Sequence, residues 1–98
     1  MARKHNTKRR SVAAQRHMAR VAELPCLACG VSGVQVHHIR EGQGGSQRAS
    51  DFLTVPLCQE CHTGGFSIHG SPRAFTNING SELDMLARTL ELLEQQRG

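Results

Sequence analysis

Two Cys-x-x-C brackets, Cys26-Leu27-Ala28-Cys29 and Cys58-Gln59-Glu60-Cys61, constrain this chain more than any other feature. Cysteines at that spacing can turn both sulfurs toward one ion, and two such brackets make a closed tetrahedral zinc site. A chain folded around such a site must bring two distant segments together. Between the brackets lies the doublet His37-His38. A zinc clamp on either side would hold that doublet on a rigid element, which a metal-assisted site requires.

The composition points the same way. In 98 residues, hydrophobic content is 38%, aromatics are 3%, and Trp and Tyr are absent, so the core must be thin. Chains this short of core material rely on a metal or on disulfides to stay folded. The four cysteines could also form two disulfides. However, no apolar segment behind the basic N-terminus marks the chain for secretion. A cytoplasmic location is therefore expected, where thiols stay reduced and available for Zn²⁺. No stretch approaches the length of a membrane span.

Net charge is +4, and it is unevenly spread. Residues 1–20 carry Arg3, Lys4, Lys8, Arg9, Arg10, Arg16 and Arg20 and no acidic residue, whereas the last stretch carries Glu82, Asp84, Glu91 and Glu94. A basic arm is an electrostatic footprint for a polyanion, nucleic acid above all. It supplies affinity without reading bases. The plainer reading is a solvated tail.

The expected organisation is a disordered basic arm over residues 1–11 and one α+β domain over 12–98. A helix starts near Ser11 and stops before Pro25, because the residue before proline disfavours the α region. Val34-Gln35-Val36-His37-His38-Ile39 alternates and is β-branched, which predicts a strand. Leu53-Thr54-Val55-Pro56-Leu57 predicts a second one, with Pro56 placing the strand at an edge or standing at its end. The Gly-rich stretch 41–46 between them is a loop. Cys58 to His62 opens a short helix that Gly64-Gly65 ends. Ser71-Pro72 starts another, with Ser as cap and Pro in the first turn. A C-terminal helix spans 81–96, begun by a capping box of Ser81 and Asp84. Leu83, Leu86, Leu90 and Leu93 are expected along one core-packing face, with a dimer seam as the alternative.

The order strand, His-His, Gly-rich loop, strand, helix with a further His resembles the HNH, or ββα-metal, nuclease superfamily. Val36-His37-His38-Ile39, Asp51, His62 and His69 carry the resemblance. Within it, Val-x-His-His-Ile-Arg, Ser-Asp-Phe-Leu-x-x-Pro-Leu-Cys, Cys-His and Ser-Ile-His-Gly are similar to phage recombination-enhancement nucleases of the Ref kind, over roughly residues 18 to 95. The resemblance implies a zinc-stabilised ββα-metal domain that hydrolyses DNA phosphodiesters, with a RecA-type recombinase as a partner. It implies His37 as metal ligand and His38 as general base. The family's middle Asn, which orients the base, has no Asn counterpart here. Asp51 is the nearest candidate, to hold His38 or to reach the metal. His62 and His69 would complete the ligand set, and the ion in use would be Mg²⁺, with Mn²⁺ or Zn²⁺ as substitutes.

The chemistry suits these groups. Phosphodiester hydrolysis needs an activated water and neutralisation of charge on phosphorus, and a divalent ion serves the second need. Imidazole titrates where it can accept a proton near neutrality. Adjacent strand residues point to opposite faces, so His37 and His38 can serve different tasks if the strand end twists around a shared cleft. Each residue also has a plainer role. His62 could join the zinc, His69 could cap a turn, and Asp51 could be a turn residue. Gly64-Gly65 makes one unbroken helix from His62 to His69 doubtful, so His69 could arrive from a loop. The alternative function is a non-catalytic zinc-knuckle protein that binds nucleic acid. A colicin-like toxin fits less well, because the chain has no translocation region.

Overall fold

The computed structural model describes residues 10–45 and 48–97. The elements run α1 (Val12–Ala22), β1 (Val34–His38), β2 (Thr54–Cys58), α2 (Gln59–Thr63), α3 (Pro72–Asn79) and α4 (Glu82–Arg97). The described residues form a small α+β domain with a two-stranded sheet and four helices.

The two strands pair antiparallel, with Val34 opposite Cys58, Val36 opposite Pro56 and His38 opposite Thr54. Pro56 is tolerated because each strand of a two-stranded sheet has a free edge. That edge of β2 is not left bare, since the Pro56 carbonyl accepts the Leu27 N–H at 3.1 Å. The first cysteine bracket is thereby hung on β2. The second begins at the last residue of the same strand and runs into α2.

Ser11 caps α1 by accepting the Ala14 N–H on its Oγ at 3.0 Å. The expected disorder of residues 1–11 therefore does not extend to Ser11. Nor does it extend to Arg10, which bonds a side chain of the domain. Residues 1–9 lie outside the described part. Ser81 and Asp84 exchange hydrogen bonds, each backbone N–H to the other's side-chain oxygen at 3.0 Å. This is the capping box anticipated for α4. At α3 the proline stands in the first turn as expected, but Ser71 provides no side-chain cap and its hydroxyl donates to the Gly65 carbonyl instead.

The main core joins Ile39, Val55, Leu57, Ile68, Phe75, Met85 and Leu86. A second cluster of Val21, Leu24 and Leu93 packs α1 against α4 beside Val36. The expected leucine stripe is buried only at Leu86 and Leu93. Leu83 and Leu90 are 50% and 45% exposed, and the buried face of α4 is Met85, Leu86, Thr89 and Leu93. Thr89 can be buried because its hydroxyl donates to the Met85 carbonyl one turn back. Among the described residues, no helix is long and apolar enough to cross a membrane.

Candidate functional site

The two brackets meet as their spacing requires. Cys26 donates its N–H to the Val31 carbonyl, and Gly30 closes the turn by donating to the Cys26 carbonyl at 2.9 Å. That turn needs φ of +82° at Gly30, a conformation glycine adopts without cost. Cys26, Cys29, Cys58 and Cys61 bring their sulfurs within 4.8 Å of one another, and Cys29 and Cys58 are 3.7 Å apart. Four thiolates each about 2.3 Å from one zinc ion would stand about 3.8 Å apart. All four thiols are free, and none is bridged to another. Burial pushes the Cys26 thiol up, but hydrogen bonds from the backbone of Cys58, Cys29 and Ala28 outweigh it and bring it down to about 7. Burial and the neighbouring cysteines push Cys61 far up. Sulfurs this close cannot all ionise unless a cation sits among them. The cluster can hold a metal such as zinc.

His62 does not join the sulfurs. A separate group contains His37, His62 and His69. His37 Nδ1 lies 3.1 Å from His62 Nε2, which lies 3.2 Å from His69 Nε2. Imidazole nitrogens sharing one ion at about 2.1 Å fall roughly 3.0–3.4 Å apart. The outer nitrogens explain why these can point at one another. His37 Nε2 is 2.6 Å from a Glu82 carboxylate oxygen, which is acceptor-only when ionised, so Nε2 carries the proton. His62 Nδ1 is 2.7 Å from Gln35 Oε1, which likewise accepts. The facing nitrogens, His37 Nδ1 and His62 Nε2, are therefore both lone pairs. Two lone pairs at 3.1 Å repel without a cation between them, so the donor set fits a metal ion.

Strand alternation sets up this arrangement. Gln35 and His37 share one face of β1, and both reach His62 on α2. His69 does not continue α2, which ends at Thr63 with Gly64 as its C-cap. It comes from the following turn, tied back by its N–H to the His62 carbonyl at 3.3 Å. The turn depends on glycine. A Cβ on Gly70 would collide with the Gly64 carbonyl oxygen, and one on Gly64 would stand 2.5 Å from the Glu60 carbonyl oxygen. Burial, and then the neighbouring imidazoles, hold His62 below the ordinary imidazole range. Burial does the same to His37, although Glu82 opposes it. Both are neutral at pH 7, the form that binds a metal.

Glu82 and Gln35 are functional neighbours that sequence reasoning missed. Glu82 opens α4, and an acidic residue in a first helical turn is already explained by the helix dipole. No local signal ties it to a histidine 45 positions earlier.

His38 is held on the other side. Its Nε2 bonds Asp51 Oδ1 at 2.7 Å, and Asp51 Oδ2 accepts from Arg10 Nε at 2.9 Å. Asp51 is held below the usual carboxylate range, first by the His38 bond and then by Arg10. Asp51 thus lies beside the His38 imidazole, and it belongs to neither of the two groups that could hold a metal ion. A cleft of about 530 Å³ reaches the group at His69 and is lined also by Glu82, Arg40, Ile68, Pro72 and Thr76 among others. Neither His37 nor His38 is part of its lining. The shared cleft expected for the doublet is therefore not this one.

The basic residues divide. Arg3, Lys4, Lys8 and Arg9 lie outside the described residues. Arg10 is spent on Asp51, and Arg20 donates to the Leu93 carbonyl at 2.8 Å, which ties α1 to the last turns of α4. Arg16 is exposed.

A family model described as "Protein of unknown function (DUF968)" matches residues 3–94, nearly the whole chain. The chain belongs to the DUF968 family. No curated protein matches it. The span of the DUF968 match takes in both cysteine brackets, the doublet, His62, His69 and Glu82.

Proposed function

We propose that this protein is a metal-dependent endonuclease that hydrolyses DNA phosphodiester bonds on a zinc-stapled ββα-metal domain of the HNH kind. The observation that carries the proposal is the pair of facing lone pairs on His37 and His62, joined by His69, one residue away from an imidazole oriented by a carboxylate. The element order β1, β2, α2 also supports it, with the doublet closing β1 and His62 on α2.

In this reading His37, His62 and His69 hold a divalent ion. The bound ion would neutralise charge on the phosphate and help the departing oxygen. Three imidazoles suit Mn²⁺ or Zn²⁺, while Mg²⁺ is the ion the resemblance implies. His38 donates Nε2–H to Asp51, which leaves Nδ1 as the lone pair able to take a proton from the attacking water. Asp51 fixes that tautomer, and Arg10 fixes Asp51. His37 and His38 are neighbours at the end of β1, so a phosphate reaching both the histidine group and His38 would lie across that strand end. The basic N-terminal residues would supply affinity for DNA, and a RecA-type recombinase filament in a phage or bacterial host cytoplasm is the setting the resemblance suggests.

A second reading, a non-catalytic zinc-knuckle protein that binds nucleic acid, rests on the four-cysteine cluster together with the basic N-terminal residues. Supercoiled plasmid with Mg²⁺ or Mn²⁺ separates the two, as does the same DNA in a recombinase-coated displacement loop. Wild type should nick one of these substrates and stop on chelation, and His38→Ala should lose about 10²–10⁴-fold in rate, the usual worth of a general base. If wild type and His38→Ala both retard DNA and neither cuts any of these substrates, the second reading replaces the first.

A further inference from the structure

We infer that Glu82 is a positioning residue that fixes the tautomer of His37 and thereby makes the N-terminus of α4 part of the metal centre. The inference rests on the reading of His37, His62 and His69 as a metal site.

Three donors converge on this one carboxylate. Glu82 Oε2 takes the His37 Nε2–H at 2.6 Å, and Oε1 takes the backbone N–H groups of Arg40 at 2.6 Å and Glu41 at 2.7 Å. Glu41 answers from the other side, its Oε1 accepting the Leu83 N–H at 3.3 Å. The segment leaving β1 and the first turn of α4 therefore cap each other's orphan donors. Glu82 is half-buried, and the two backbone N–H groups can only donate, so a carboxylate that also accepts from His37 satisfies all three partners at once.

That requirement gives a specific consequence for His37. Its neutral ring has one proton to place. With an acceptor at Nε2 the proton goes there and Nδ1 faces His62 as a lone pair. Glutamine at position 82 has the same shape but only one accepting atom. If its oxygen keeps the two backbone N–H groups, its amide N–H₂ faces His37 Nε2, and the imidazole proton moves to Nδ1. There it would point into the space the ion needs. If the amide turns over, Arg40 and Glu41 lose their acceptor and α4 loses its tie to β1. Either result damages the metal site without removing any of its three ligands.

The test compares wild type, Glu82→Gln and Glu82→Ala in full-length protein with the sulfur site loaded with zinc. Co²⁺ or Mn²⁺ binding to the histidine group is measured calorimetrically and by Co²⁺ absorption. The His37 tautomer is read by ¹⁵N shifts of the imidazole before any second metal is added. The expected result for Glu82→Gln is a 10–100-fold loss of second-metal affinity, the usual effect of losing a carboxylate behind a metal-bound histidine. Zinc stoichiometry should stay at one, and His37 should shift from Nε2–H toward Nδ1–H. Glu82→Ala, which leaves Nε2 without an acceptor, should weaken metal binding and leave a mixture of tautomers. Unchanged affinity and an unchanged His37 tautomer in Glu82→Gln would overturn the inference. If wild type itself binds no second ion, the metal reading fails instead, and the ¹⁵N comparison still decides whether Glu82 sets the tautomer.

Discussion

Asp51 and Glu82 each accept a hydrogen bond from one histidine of the doublet, at 2.7 and 2.6 Å, yet their surroundings differ. Glu82 has backbone N–H groups behind it and is pushed up by burial, but the hydrogen bonds from His37, Arg40 and Glu41 outweigh that and hold it below the usual range. Asp51 has a guanidinium behind it and is partly exposed. Both are ionised at neutral pH. A carboxyl lowered by its partners contributes stability that is fully present above its ordinary value, about 3.9 for Asp, and is lost as pH falls through its lower folded value. Carboxylate ¹³C shifts followed from pH 6 downward should therefore show Asp51 titrating below the ordinary Asp value. His38→Ala should raise it most and Arg10→Ala by less, because the imidazole bond is the larger cause. An Asp51 that titrates normally in all three proteins would remove the basis for its role beside His38. At this scale the sequence exposes part of the site. Residues that carry unusual chemistry, such as His37, His38, His62 and Asp51, stand out by type and order. Glu82 and Gln35 do not, because their types are common on surfaces and only the fold brings them to an imidazole.

Among the elements, α4 shows why a periodic pattern can identify a helix and still misplace its face. Leucine at 83, 86, 90 and 93 has helical spacing, and the helix exists with the anticipated capping box. The helix is fixed at its start by Glu82 and near its end by Arg20 reaching the Leu93 carbonyl. Those two ties turn Met85 and Thr89 inward and leave Leu83 and Leu90 half-exposed. The sequence shows hydrophobicity but not which tertiary anchor sets the rotation. Leu93→Ala, at the α1–α4 contact, should cost about 2–5 kcal/mol in denaturant unfolding. Leu83→Lys and Leu90→Lys should stay within about 0.5 kcal/mol of wild type, as surface substitutions do. Were the two lysine variants to cost as much as Leu93→Ala, that face of α4 would have to be covered in solution. The turn after α2 makes a similar point. Gly64 and Gly65 announce that α2 must end, but the close approach of the Gly64 carbonyl to Gly70, which delivers His69 to His62, is a tertiary event.

For the molecule as a whole, the cysteine brackets made the fold class legible and the sheet explains why they matter. Two strands of five residues each are too little to stand alone in water. β2 is gripped at both ends of the sulfur cluster, by Cys58 at its terminus and by the Leu27 N–H on the Pro56 carbonyl. β1 carries His37, and α2, which holds Cys61, carries His62. The sulfur site and the imidazole site thus share α2 as a common wall, and losing the first should dismantle the second. Stepwise removal of zinc with a thiol-competing chelator should therefore abolish the cooperative melt and the dispersed NMR spectrum. The affinity of the histidine group for Co²⁺ should fall in the same proportion of molecules. Cys61→Ser should behave like partial chelation, with a weakened zinc and a lowered melting temperature, because one of four ligands is replaced by a poorer one. The reverse experiment gives the sharper contrast. His62→Ala removes an imidazole from α2 but leaves every sulfur in place, so zinc content and the melt should survive while the second ion is lost. A metal-free protein that still melts cooperatively and still binds Co²⁺ through its histidines would show that the core of Phe75, Leu57 and Met85 holds the two sites together without the zinc.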